Sequence, residues 1–176
     1  VELLTASWID FSMWWKWKTK TLKSLYLEIK KGETILDYDD DWKILRKLQV
    51  VWADIFYTST EWIVFNLRET KQVFKDGRWS RFRKFDYSVW EKMMLGETPL
   101  EAMRRWIQEE LGIMSIVDIQ EWKQDQQLWD SNSYPGLATD HYRFWFKAIL
   151  TDEQYSSDWY IEYQDDKTTY FEWNQI

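Results

Sequence analysis

Two adjacent carboxylates, Glu109 and Glu110, lie near the end of a segment with every local sign of a helix. Side by side on one helix they repel each other unless a cation or an arginine compensates, and Arg105, four residues before Glu109, is spaced to do so. Mg²⁺ and Mn²⁺ are hard ions that prefer such oxygen ligands and share their shell with substrate phosphates. Glu97, just before the helix, can reach the same region. Trp106 falls three and four residues before the two glutamates, on the same face, and can neither ligate nor take a proton. A bare Glu-Glu pair is more often a solvated pair on an ordinary amphipathic helix, so the pair alone assigns nothing. Other chemistries are excluded by count. With no cysteine there is no thiol nucleophile and no Cys-ligated metal, and with one histidine, His141, there is no multi-histidine site.

The helix that must position these residues is the clearest element of the sequence. Thr98 is spaced to N-cap it, Pro99 to open it and Glu101 to complete a capping box. Leu100, Met103, Ile107 and Leu111 make its apolar stripe, and Gly112 supplies a left-handed C-cap. Strands are expected before it at Val51–Tyr57, Trp62–Leu67 and Lys71–Lys75. The last of these turns at Asp76-Gly77 and returns as Trp79–Tyr87. After it come strands near 113–124, 140–150 and 168–173, with a loop at 131–136. Upstream, Trp8, Phe11, Trp14, Trp15 and Lys18 give a weak helical face. Leu22–Ile29 alternates partly like a strand, and Trp42, Leu45 and Leu48 are spaced like a helix after the acidic run 37–41. These patterns predict one α/β or α+β unit at 46–176 with an N-terminal extension, 1–45, packed on it.

The segment 91–113 resembles the Nudix box. Glu97, Arg105, Ile107, Glu109, Glu110, Gly112 and Ile113 match the family pattern at the right offsets. Glu91 stands where the box has glycine, and Trp106 where it has its first helical glutamate. The resemblance implies an α/β/α sandwich with a mixed sheet and the box helix at about 99–111. It implies Mg²⁺ or Mn²⁺ as cofactor, metal ligation by Glu109 and Glu110, and supporting catalytic roles for Glu97 and Arg105. Arg78, Arg81, Arg83 and Lys84 form a dense basic stretch ahead of the box. Arg81 and Arg83 are expected to meet a diphosphate, although an edge strand carrying charges against mispairing explains them equally well. Trp106 is expected either to stack on a substrate or to cap a pocket that no longer turns over. Ser88–Lys92 is also similar to a plant and cyanobacterial Nudix-like subgroup.

Two functions follow. One is a metal-dependent hydrolase of a nucleoside diphosphate linked to another moiety, attenuated by the two departures. The other is a catalytically inactive Nudix-like module that binds a nucleotide or a protein. Glu91, Glu121, Glu153 and Glu162 are the carboxylates that can replace the missing one, and the sequence does not choose among them. An isomerase acting on isopentenyl diphosphate is disfavoured, because that chemistry relies on a cysteine. With 23 basic and 30 acidic residues the net charge is −7, which argues against general nucleic-acid binding. No apolar run reaches membrane-spanning length, so a cytoplasmic or other soluble intracellular protein is expected. The oligomeric state is open, a homodimer included. The 15 tryptophans have no explanation in the sequence.

Overall fold

The computed structural model describes residues 4–5, 9–16, 19–77, 80–82, 87–114, 118–158, 160–165 and 167–176, with the Arg81 side chain left out. Its elements are α1 (Leu22–Lys30), β1 (Ile35–Tyr38), β2 (Ile44–Thr58), β3 (Val64–Phe74), β4 (Arg81–Phe82), β5 (Val89–Lys92), α2 (Pro99–Leu111), β6 (Asp118–Asp130), β7 (Ala138–Leu150), β8 (Tyr160–Tyr163) and β9 (Lys167–Gln175). The strands form one sheet in the order β6-β7-β2-β3-β9-β8, with β1 and β5 paired to β2 and β4 paired to β3. The fold is α+β, as the sequence predicts. β3 runs antiparallel to β2, β4 and β9, and β8 antiparallel to β9.

Two upstream expectations are corrected. Leu22–Ile29 is helical rather than strand-like, because Thr21 and Ser24 form a capping box that starts a helix there. Trp42, Leu45 and Leu48 do not lie on a helix. Asp39 accepts backbone hydrogen bonds from Asp41 and Lys43, which closes a hairpin turn, and β2 begins at Ile44. β2 buries Leu48, Val50, Val51, Ala53 and Ile55. Some of these are sequence neighbours, which places apolar cover on both faces of the strand and blurs the period-two signal. The strand expected near 113–124 begins at Asp118 and continues to Asp130, through a polar stretch with no buried residue. The short strands β1, β5 and β8 were not expected.

By its contacts the chain divides into two units, 1–50 with 92–98 and 124–144, and 51–91 with 99–123 and 145–176. The first has a core of Leu4, Trp14, Leu25, Ile44, Tyr134 and Leu137. Among the N-terminal tryptophans, Trp14 is 1% exposed and donates its indole N–H to Pro135 O at 2.9 Å. Trp15 is exposed, and Trp8 and Trp17 lie outside the described residues. Glu28 is buried in the same unit against Lys20 (2.5 Å), Arg46 (2.6 Å) and Lys92 (3.0 Å). Burial alone raises a carboxyl pKa, but the Lys92 and Arg46 charges, then Lys20, override it and hold Glu28 at about 2. In the second unit, β3 and β9 pair over nearly their whole length.

Candidate functional site

α2 spans Pro99–Leu111, the predicted bounds. Gly112, at φ +67, ends it, and its N–H bonds Gln108 O. Met103, Ile107 and Leu111 are buried as expected, joined by Ala102 and Trp106, whereas Leu100 at the first turn is exposed. Trp106 is 3% exposed and meets Phe171 edge-on, with centroids 6.1 Å apart. Its indole therefore belongs to the packing of the helix onto β9, with no ring face open to a ligand.

The two glutamates have different surroundings. Glu109 faces solvent and accepts a hydrogen bond from Arg105 Nη1 at 3.4 Å. Glu110 turns inward, toward Glu162 on β8, Glu91 on β5 and Lys167 at the start of β9. Burial is the largest influence on its carboxyl. The hydrogen bond to Glu162, the charge of Glu162 and the charge of Glu91 act in the same direction, and Lys167 acts against them. Together they push Glu110 up to about 10. At neutral pH the Glu110–Glu162 pair therefore keeps one proton between them. Gln164 Nε2 donates to Glu162 Oε1 from two residues away.

Of the four carboxylates weighed as replacements for the missing glutamate, Glu91 and Glu162 are the two that act on Glu110. Glu162 was hard to favour from sequence because its strand is only four residues long. Lys167 was missed altogether, and the one signal for it was its place at the start of a strand expected to begin at Thr168. Glu97 lies in the other unit and accepts the Met94 N–H at 2.9 Å, closing its own turn. Arg81 pairs with Gln72 through the backbone of β4. Its side chain, with Arg78, Arg83 and Lys84, lies outside the described residues. His141 is packed 4.2 Å from Trp129. Burial, then Arg46 and Arg143, hold it down to about 4, so it is neutral.

The donor set suits a hard cation, since every group is a carboxylate oxygen. Among the described residues, however, no group of three or more His, Asp or Glu side chains is spaced to hold a metal ion. A cleft of about 370 Å³ opens at the C-terminal end of α2, lined by Leu111, Ile113, Glu153, Tyr155, Ser156 and Tyr160. That volume falls in the range of small-molecule sites. No helix among the described residues is long and apolar enough to cross a membrane.

No family model matches the chain, and no curated protein matches it. Among solved structures, it is similar to the crystal structure of C. elegans Ap4A hydrolase at 11% identity. The alignment covers 73% of this chain and 80% of that one, with a TM-score of 0.37.

Proposed function

We propose that the chain is a Nudix-type, metal-dependent hydrolase of a nucleoside diphosphate linked to another moiety. The observation that carries this reading is the convergence of Glu91 and Glu162 on Glu110, the box glutamate that faces inward. These two supply carboxylate where Trp106 cannot. As they stand these carboxylates are not spaced to hold an ion; Mg²⁺ or Mn²⁺ would need Glu162 and Glu91 to close on Glu110, with Glu109 on the solvent side. A divalent ion there supplies Lewis acidity to a diphosphate and acidifies bound water. The chain's own residues do the rest. Lys167 offers an ammonium to a phosphoryl oxygen. To hold a cation Glu110 and Glu162 would have to release the proton between them, and Arg105 orients Glu109.

The test is calorimetric titration of Mn²⁺ at two buffer ionisation enthalpies, which counts protons released on binding. Wild type should release about one proton, and Glu110→Gln and Glu162→Gln should bind at least tenfold more weakly. A parallel screen of nucleotide sugars, dinucleoside polyphosphates and nucleotide cofactors should find turnover that both variants lose. No binding and no turnover in wild type would end the enzyme reading. One observation favours the second reading, an inactive Nudix-like module that binds a nucleotide or a protein. Trp106 is built into the core at the position of the lost glutamate, so the helix has exchanged a chemical group for packing.

A further inference from the structure

β6 begins the sheet order, and among the described residues no strand lies on its outer side. None of its thirteen residues is buried. Such an edge presents backbone N–H and C=O groups to any strand that fits it. A row of four tryptophans also ends there. Trp90 on β5, Trp52 on β2, Trp145 on β7 and Trp122 on β6 follow one another in the order in which those strands pair. Trp90 stacks on Trp52 at 6.2 Å, Trp52 on Trp145 at 4.9 Å, and Trp145 meets Trp122 at 6.2 Å. Lys147 Nζ lies 5.7 Å over Trp122, and Lys123 Nζ 5.3 Å over Trp145. Trp122, last in the row, is 54% exposed.

We propose that this edge is taken by a second copy of the chain, with the two β6 strands antiparallel and Trp122 opposite Trp122. A two-fold axis normal to the sheet keeps every side chain on its own face. Residue i then meets only residues of its own parity, and one residue must meet itself. Self-pairing at Glu121, Lys123 or Asp125 sets like charges against each other. Self-pairing at Gln124 sets Asp118 against Asp130. Self-pairing at Trp122 places Glu121 opposite Lys123 on both sides of the axis, and leaves no like-charged pair from Asp118 to Gln126. It also joins the two tryptophan rows into one. Among the registers of β6, this one alone combines two opposite-charge pairs with no like-charged pair.

Sedimentation velocity across micromolar concentrations tests the proposal on wild type, Glu121→Lys, Lys123→Glu and the double exchange, with the fold of each checked by circular dichroism. Wild type should dimerise. Each single reversal puts two like-charged pairs across the axis and should weaken the dimer about tenfold or more. The double exchange restores opposite pairs and should restore the dimer. Amide exchange gives a second reading on wild type alone, with β6 protected when concentrated and losing protection on dilution. A wild type that stays monomeric overturns the proposal. So does a dimer indifferent to both single reversals, or a folded double exchange that stays apart.

Discussion

Glu110 and Glu28 are both inward-facing glutamates, yet their surroundings drive them in opposite directions. Glu110 is raised toward 10 by burial, Glu162 and Glu91. Its folded state binds a proton that the unfolded chain releases above its ordinary value of 4.5, so this group destabilises the fold progressively as pH rises. Glutamine keeps an N–H donor for Glu162 and does not titrate. Without metal, Glu110→Gln should therefore be more stable than wild type by about 1–2 kcal/mol at pH 8, after allowance for partial solvent exposure, with the gap closing toward pH 5. Thermal melts of both proteins at a series of pH values in chelator would show it, and a gap that widens toward acid would refute the shared proton. Glu28 is depressed to about 2 by Lys92, Arg46 and Lys20. Its stabilisation is complete above 4.5 and is lost as pH falls through 2. Glu28→Gln leaves the buried Arg46 guanidinium without its carboxylate, while Lys92 keeps Glu33 at 2.8 Å, and should cost about 3 kcal/mol in denaturant unfolding at pH 7.

At the scale of elements, two hairpin turns share an unusual construction. In the β1–β2 turn Trp42 donates its N–H to Asp39 O and Lys43 O accepts from Asp39. In the β2–β3 turn Trp62 donates to Ser59 O and Ile63 O accepts from Ser59. The left-handed position falls on tryptophan in both, at φ 60 and φ 62, with the side chains 81% and 86% exposed. A left-handed non-glycine residue costs about 1–2 kcal/mol. Trp62→Gly should thus raise the unfolding free energy by about 1 kcal/mol. Trp42→Gly should gain less, because Trp42 also contacts Tyr38 at 6.0 Å. Equilibrium unfolding of the two variants decides it. The same local view explains what could be read in advance. α2 was legible to the residue because its cap spacing, apolar stripe and terminal glycine agree. β6 was misplaced because a strand with no buried residue has no apolar period to read. The Trp42–Leu48 spacing imitated a helix because β2 is covered on both faces. At the site, Glu110 was legible from the motif. Its partners were not, since only the pairing of β8 with β9 and of β5 with β2 brings Glu162 and Glu91 to it.

At the scale of the whole molecule, the sheet rather than the helices organises the aromatic residues. Tryptophans that look scattered in the sequence become a row when β6, β7, β2 and β5 pair, and the lysines of β6 and β7 lie over their rings. Saturating Mn²⁺ should raise the melting temperature of wild type and leave Glu110→Gln unmoved, since a ligand that binds only the folded state stabilises by mass action. An equal rise in both proteins would place the ion elsewhere. The row also has an optical consequence. Indoles stacked 4.9 Å apart at 26° share their electronic transitions, so Trp52 and Trp145 should give a paired positive and negative band in far-ultraviolet circular dichroism and transfer excitation along the row to Trp122. The strands that hold these rings are distant in sequence, so the signal vanishes when their pairing is lost even if local helix survives. The protein thus carries an intrinsic spectroscopic reporter of its own sheet, readable without any added label.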